Sequence, residues 1–200
     1  MTEVSPRRHA LEDFLQRRGV ETAGNPAVRV VLQANCEYLN LRGRAADPAF
    51  RHAVESVLRQ NLPTTPNTCT QGLHTVYWLG PDEWLLVSAA GSGVEDGLGI
   101  IPQTCFSSVN GQSGGFMQMR LTGSAANKVL AKGCTLDLHP AAFRIGQCAQ
   151  TLLAKAGVLL AATDDRPSFS LIVRRSFAEY VALWLAHSGD EFGVNFTAGV

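Results

Sequence analysis

Cysteine, histidine and carboxylate side chains are the groups in this chain with the chemistry for catalysis or metal binding. Nucleophilic catalysis by cysteine requires a thiolate, which a basic neighbour or a helix N-terminus stabilises. Cys134 instead follows Gly133 at the end of a predicted helix, where the helix dipole disfavours a negative charge. Cys148 begins a strand inside an apolar run. We therefore interpret both cysteines as small buried residues.

A zinc site is the strongest metal hypothesis that the sequence offers. Cys134, His139 and Cys148 would supply three suitable ligands if the fold brought them together. However, the closely spaced Cys or His pair that usually marks a structural zinc site is missing from this segment. The pair His139-Pro140 is better explained as a turn whose imidazole caps backbone groups or faces a partner. We expect no metal ligands in this chain.

Phosphate and acid–base chemistry receive no support either. The segment 111–115 is rich in glycine but lacks the lysine and the following helix of a phosphate-binding loop, and Asn110-Gly111 favours a tight hairpin turn. No Gly-x-Gly-x-x-Gly motif joins a strand to a helix, and the carboxylates Asp82, Glu83 and Asp137 are spaced for turns. We predict no catalytic and no cofactor-binding residue.

Two tryptophans are the most prominent candidates for contact with another protein. Trp78 and Trp84 flank the turn segment 80–83, so paired strands would place both side chains on the same side of the hairpin. If they are exposed, such large rigid aromatics would form a good binding anchor. If they are buried, they belong to the hydrophobic core. Both alternatives remain open at this stage.

The first 27 residues are predicted to form an N-terminal arm. Leu11, Phe14 and Leu15 share one helical face, and a glycine-rich stretch follows them. An apolar patch of one turn cannot hold a helix without packing on something. The arm docks either on its own domain or on another subunit. Phe14, Trp78, Trp84 and His139 are therefore the predicted interface residues.

The remaining elements indicate a duplicated domain. Residues 28–100 and 116–188 each contain a strand, a glycine, a helix, a hairpin and a second helix. This order predicts an α+β fold of two ferredoxin-like β-α-β-β-α halves, with antiparallel sheets and helices packed on one face. Residues 28–188 thus form one domain, and the tail 189–200 is expected to be loose or to dock on a neighbouring protein.

Helix boundaries follow from local signals. Asp47 and Pro48 predict the start of a helix with Phe50 and Val54 inward, and Ser124 is predicted to cap a second helix. For the last helix we expect a capping box formed by Ser176 and Glu179. Its predicted buried face contains Phe177, Tyr180, Val181, Trp184 and Leu185.

Composition narrows the choice of partners and compartment. The 17 basic and 17 acidic residues balance, which gives no reason to expect nucleic acid or an anionic membrane as a partner. The N-terminal residues show no signal-peptide pattern, and the apolar runs are too short to span a bilayer. Five cysteines without paired spacing favour reduced thiols. We expect a cytoplasmic protein.

Four sequence blocks within residues 36–188 carry a family resemblance. They are Trp-Leu-Gly-Pro-Asp-Glu-Trp at 78–84, Lys-Gly-Cys-Thr-Leu-Asp-Leu-His-Pro at 132–140, Cys-Ala-Gln-Thr at 148–151 and Arg-Arg-Ser-Phe at 174–177. In this order they resemble the gamma subunit of heterotetrameric sarcosine oxidase. That family shares its fold superfamily with the folate-binding aminomethyltransferase of the glycine cleavage system.

The resemblance implies an accessory, non-catalytic subunit whose partners are alpha, beta and delta subunits. The implied complex oxidises sarcosine to glycine, with hydrogen peroxide and formaldehyde or 5,10-methylenetetrahydrofolate as products. Its FAD, FMN, NAD, folate and zinc would be held by the other subunits, and none by this chain. The alternative is a free-standing folate-binding or aminomethyltransferase-like protein.

Overall fold

The computed structural model describes residues 11–18, 26–101, 105–164 and 167–199. Within these ranges the chain begins with α1 (Glu12–Arg18) and β1 (Val28–Gln33). The next elements are β2 (Cys36–Gly43), α2 (Pro48–Leu58), β3 (Cys69–Gln71), β4 (Thr75–Gly80), β5 (Glu83–Ala89), α3 (Val94–Gly99) and β6 (Ser107–Gly111). The last elements are β7 (Phe116–Thr122), α4 (Ala126–Ala131), β8 (Cys148–Leu153), β9 (Ala156–Asp164), β10 (Ser168–Arg174), α5 (Ala178–Ser188) and β11 (Val194–Ala198).

Two halves repeat the same order of elements, β-α-β-β-β-α-β, from β2 to β6 and from β7 to β11. The first half forms a sheet with the strand order β3-β4-β5-β2-β6, which we call the first sheet. The second sheet has the order β11-β1-β7-β10-β9-β8, so β1 is inserted between two strands of the second half. The predicted α+β duplication is confirmed.

The predicted limits of the repeats differ from the observed ones at both ends. The first repeat was predicted to begin at residue 28, but Asn35 lies between β1 and β2 with a positive φ of 57°, and the two strands enter different sheets. The first repeat therefore begins at β2. Each repeat also ends with a strand, β6 or β11, beyond its second helix.

The molecule has four layers, because the two sheets face each other and the helices cover their outer faces. One apolar cluster joins the second sheet to α1, α4 and α5, and another joins the first sheet to α2 and α3. A third cluster lies between the sheets and includes Tyr38, Tyr77, Cys148, Leu159 and Ile172. Each sheet is therefore buried on both faces, which explains why its strands are apolar at consecutive positions.

Local signals explain α2 and the strand pairs of the first sheet. The Asp47 carboxylate accepts a hydrogen bond from the Ala49 amide at 2.9 Å, and Pro48 occupies the first helical position, as predicted. β4 and β5 form the predicted hairpin around Pro81-Asp82. The short strand β3 begins at Cys69 and lies at the edge of the first sheet.

A glycine ends the first strand of each half for a steric reason. A Cβ atom at Gly123 would lie 2.2 Å from the Ala27 carbonyl oxygen, and this residue has a φ of +122° that side chains disfavour. At Gly43 a Cβ atom would lie 2.3 Å from the Phe50 ring. These close approaches let the chain turn from β2 or β7 directly into the helix that covers its sheet.

Several predicted turns and caps are wrong. Ala154 and Lys155 form the turn between β8 and β9, and Ala154 adopts a positive φ of 51°. Asn110 and Gly111 are the last two residues of β6, and β6 and β7 belong to different sheets, so no hairpin forms at Asn110-Gly111. α4 has no side-chain cap, and Ser124 precedes its N-cap residue.

The orientation of α5 also differs from the prediction. No side chain caps it; a short 3-10 turn over Arg175–Phe177 precedes it, and Glu179 pairs with Arg17 of α1 at 2.5 Å. Its buried residues are Ala178, Val181, Ala182, Leu185 and Ala186. Small alanines at intervals of four residues let the helix lie close to the second sheet. Phe177 and Tyr180 therefore point outward.

The two chain ends pack on the same sheet. β11 pairs in parallel with β1, and its Phe196 is buried, so this part of the predicted tail is an ordered strand of the second sheet. α1 packs beside it on the second sheet. Residues 1–10 and 19–25 of the predicted arm lie outside the described residues. No helix of the described ranges is long and apolar enough to cross a membrane.

Candidate interaction surface

The two tryptophans belong to the core of the first half. Trp78 on β4 pairs directly with Trp84 on β5, so both side chains face α2 and α3, as the hairpin pattern predicted. Trp84 is fully buried, its Nε1 donates a hydrogen bond to the Pro63 carbonyl at 2.7 Å, and its ring lies 5.9 Å from that of Phe50. The core alternative holds for Trp84, which is not available to a partner. Trp78 is half-buried against the same cluster.

Phe14 is also an internal contact. Its side chain is buried, and its ring packs edge to face on Phe196 of β11 with 5.0 Å between the centroids. The described part of the arm therefore docks on its own domain, which corrects the prediction that Phe14 contacts another subunit. The sequence could not distinguish these alternatives, because Phe14 packs on a C-terminal segment in which the apolar residues follow no helical or strand periodicity.

His139 is the predicted interface residue that remains exposed. Its backbone amide donates to the Asp137 carboxylate at 2.9 Å, and its Nδ1 accepts from the Ala141 amide at 3.2 Å. The imidazole thus caps the turn that His139-Pro140 was predicted to form. A role of His139 or Trp78 at an interface stays a prediction.

The three residues of the zinc hypothesis do not converge. Cys134 packs with the helices on the outer face of the second sheet, whereas Cys148 lies in the layer between the two sheets. The sheet itself therefore separates the two thiols. Across the ranges that the structure describes, no group of three or more His, Cys, Asp and Glu side chains is arranged to hold a metal ion.

Two cysteine thiols and the side chain of Tyr77 lie in the layer between the sheets. An isolated antiparallel bridge between Thr68 and Gln147 joins the sheet edges and brings Cys69 beside Cys148. The hydrogen bond to Cys69, together with burial, raises the pKa of the Cys148 thiol. Burial raises the pKa of Tyr77, whose hydroxyl lies 3.2 Å from Ser170 Oγ. Cys148 and Tyr77 are therefore uncharged at neutral pH and lie in this layer as neutral polar groups.

At one end of this layer the two sheets diverge and leave an open groove of about 1010 Å³. Its walls are the inner faces of both sheets, and its lining includes Asn40, Arg42, Glu83, Asn110, Gln150 and Arg174. The Glu83 carboxylate forms a salt bridge with Arg42 at 2.8 Å and accepts a hydrogen bond from the side-chain amide of Asn40 at 2.9 Å. The Arg174 guanidinium lies 4.6 Å from the centre of the Phe116 ring.

Beside this groove lies an apolar surface that the sequence analysis missed. It consists of Leu152 at the edge strand β8, Phe177, and Tyr180 and Leu183 on α5, which we call the α5 patch. Their exposed fractions are 57%, 44%, 37% and 43%. Phe177 and Tyr180 had been assigned to the buried face. The alanines at 178, 182 and 186 were the signal that a different face packs on the sheet.

These features define a class of protein: a duplicated α+β domain with two facing sheets, a polar layer between them and an apolar outer surface. A family model described as "Sarcosine oxidase, gamma subunit family" matches residues 42–191. The chain belongs to this sarcosine oxidase gamma subunit family, as the four sequence blocks predicted.

Individual relatives extend the similarity to nearly the whole chain. Sarcosine oxidase subunit gamma from Arthrobacter sp is 30% identical over 198 residues, which cover 94% of this chain and 90% of the relative. A chain of the heterotetrameric sarcosine oxidase from Corynebacterium sp. U-96, solved in complex with pyrrole 2-carboxylate, matches with a TM-score of 0.84 and 30% identity. The match covers 98% of this chain and all of that one.

The fold is shared more widely than the family. The glycine cleavage system aminomethyltransferase T from Bartonella henselae matches with a TM-score of 0.67 at 13% identity. The match covers 96% of this chain but 60% of that enzyme. At this identity the similarity shows a common fold alone.

Proposed function

We propose that this chain is a non-catalytic accessory subunit of a heterotetrameric sarcosine oxidase. The observation that carries the proposal is the full-length match, at 30% identity and a TM-score of 0.84, to a chain of a sarcosine oxidase that is itself heterotetrameric. The match covers 98% of this chain and all of that chain, so the whole domain shares the shape of a chain that belongs to an assembled enzyme.

The partners in this proposal are the alpha, beta and delta subunits of the enzyme. The family resemblance implies that FAD, FMN, NAD, folate and zinc are held by those subunits, and we propose the same division here, with the complex in the cytoplasm. The contribution of this chain is then contact surface. Its interior is consistent with that role, since Tyr77, Gln118 and Ser170 in the layer between the sheets hydrogen-bond with one another within the domain.

Co-expression with the other three subunits tests the proposal. With an affinity tag on this chain alone, we expect a coloured, flavin-containing complex that consumes oxygen when sarcosine is added. The matched control is the tagged chain expressed without those subunits, which should be colourless and inactive. Recovery of this chain by itself from the co-expressing cells would contradict the proposal.

A titration of the isolated chain with tetrahydrofolate distinguishes an accessory subunit from the alternative, a free-standing folate-binding protein. A free-standing folate-binding protein would bind this ligand with a dissociation constant in the micromolar range. An accessory subunit should show no saturable binding in isothermal calorimetry, while the assembled complex remains active. Saturable binding by the isolated chain would favour the alternative.

A further inference from the structure

α5 is apolar on two opposite sides, although one of them is enough to pack it on the second sheet. Val181 and Leu185 are fully buried on the inner side. Tyr180 and Leu183 lie on the outer side and remain exposed by 37% and 43%. A helix that is apolar all round is normally buried all round. The outer side of α5 therefore carries more apolar surface than its packing within the domain requires.

The exposed apolar side chains of the α5 patch form one continuous surface. The rings of Phe177 and Tyr180 meet edge to face with 6.4 Å between their centroids. The Tyr180 hydroxyl accepts a hydrogen bond from the Lys155 amide at 3.3 Å, which ties α5 to the β8–β9 turn. Leu152 and Phe177 line the same groove, and Leu183 follows Tyr180 by three positions on the helix. Contiguous exposed apolar patches mark protein interaction sites, and tyrosine is among the residue types that contribute most to the energetics of interfaces.

Positive charges surround the patch. Lys155 and Arg174 are both exposed at its rim. The neighbouring carboxylates are already paired, since Glu179 contacts Arg17 and, across the groove, Glu83 contacts Arg42. The chain as a whole carries equal numbers of basic and acidic residues, so this cationic rim is a local feature. It fits a surface that carries carboxylates around an apolar centre.

We infer that the α5 patch is the surface on which another subunit of the oxidase docks, through an apolar centre bordered by Asp and Glu side chains. This inference rests on the proposed function and adds the location and chemistry of the contact. A second copy of this chain is a poorer occupant, because a symmetric dimer through this patch would place the cationic rims against each other.

A competition experiment tests the inference in the assembled enzyme. Wild-type chain and one variant are co-expressed with the other subunits, the complex is isolated through a tag on another subunit, and mass spectrometry gives the ratio of the two chains. This ratio is divided by their ratio in the soluble lysate. For the double variant Tyr180→Ser/Leu183→Ser we expect about tenfold or greater preference for wild type, because central apolar residues dominate interface energetics. Lys155→Glu should also be disfavoured, and more strongly at low salt.

Matched controls change the same residue types elsewhere on the surface. Leu73→Ser alters a leucine that is 77% exposed at the β3–β4 turn, and Lys128→Glu alters an exposed lysine of α4. Both should enter the complex as efficiently as wild type. Circular dichroism and the urea midpoint of each isolated variant establish that it folds, so a loss of assembly reflects the surface and not the core.

Each outcome of this experiment decides the inference. Equal incorporation of the α5 variants, with wild type assembling normally, overturns the docking surface and leaves the proposed function standing. Failure of wild type to assemble overturns both. If light scattering shows a wild-type homodimer that Leu183→Ser dissociates, the occupant is a second copy and the inference is wrong.

Discussion

At the scale of single residues, His74 links stability to pH. Its side chain is buried, and Nδ1 lies 2.8 Å from Ser88 Oγ. Burial lowers the pKa of His74 below its ordinary value of about 6.5. Because the folded pKa is below the unfolded one, the unfolded chain binds more protons as the pH falls through 6.5. The contribution of His74 to stability is therefore complete above this pH and is lost below it.

The pH dependence of urea unfolding measures this effect. The free energy of unfolding of wild type should fall between pH 7.5 and pH 5.5 more steeply than that of His74→Gln, which has no imidazole to protonate. His139→Gln is the matched control, because His139 is exposed, and it should keep the wild-type slope. Equal slopes for wild type and His74→Gln would show that burial does not disfavour the charged imidazole.

The layer between the sheets contains a contact between two cysteines that could not be predicted from the sequence. Cys69 and Cys148 are 79 positions apart, and neither has a cysteine nearby in the chain. The bridge between Thr68 and Gln147 brings them together by joining two sheet edges. Spacing in sequence predicts neighbours on one helix or strand, but it carries no information about contacts between sheets.

At the scale of secondary structure elements, β11 shows how a segment without periodicity becomes ordered. Its backbone hydrogen bonds are satisfied by β1, and its one buried side chain, Phe196, reaches the core beside Phe14. A strand at the edge of a sheet can form without a clear alternation of polar and apolar residues, because its backbone hydrogen bonds to one neighbouring strand already hold it in place. Position in the sheet, rather than local pattern, determines this element.

Truncation of the Phe196 side chain should destabilise the isolated chain. Phe196→Ala removes most of a buried aromatic ring and its contact with Phe14, and we expect a loss of about 3 kcal/mol in the free energy of unfolding. Asn195→Ala is the matched control on the same strand; its side chain is only half-buried, and we expect a change of less than about 1 kcal/mol.

Urea unfolding followed by circular dichroism compares both variants with wild type. If Phe196→Ala were as stable as wild type while the assembled complex lost stability, the tail would depend on a partner after all. That result would restore the hypothesis that the C-terminal segment docks on a neighbouring protein.

At the scale of the whole molecule, the two halves share one interior. Tyr38, Tyr77 and Leu85 of the first sheet pack with Leu159 and Ile172 of the second. β1 precedes the first half in the chain but completes the second sheet. Separation of the halves would expose this layer, so we expect them to unfold together.

The positions of the three tryptophans make it possible to measure whether the two halves unfold together. Trp184→Phe leaves reporters in the first half alone, at Trp78 and Trp84, whereas the double variant Trp78→Phe/Trp84→Phe leaves Trp184 in the second half. Within each variant, tryptophan fluorescence and circular dichroism should give the same urea midpoint. Different midpoints for the two signals in one variant would show that the halves unfold separately.

The sequence by itself determined the family, the α+β class, the duplication, α2 with its Asp47 cap, and the hairpin of Trp78 and Trp84. These features depend on interactions between residues that are close in the chain, or on blocks that identify relatives.

The tertiary structure alone decided that Phe14 and Trp84 are internal, that β1 and β11 complete the second sheet, and that Phe177 and Tyr180 face outward. The physical reason is that burial depends on what covers a side chain. For these residues the covering element comes from distant parts of the chain. β11 covers Phe14, and the segment around Pro63 covers Trp84. The alanine face of α5 packs on the second sheet, which leaves Phe177 and Tyr180 on the outer side.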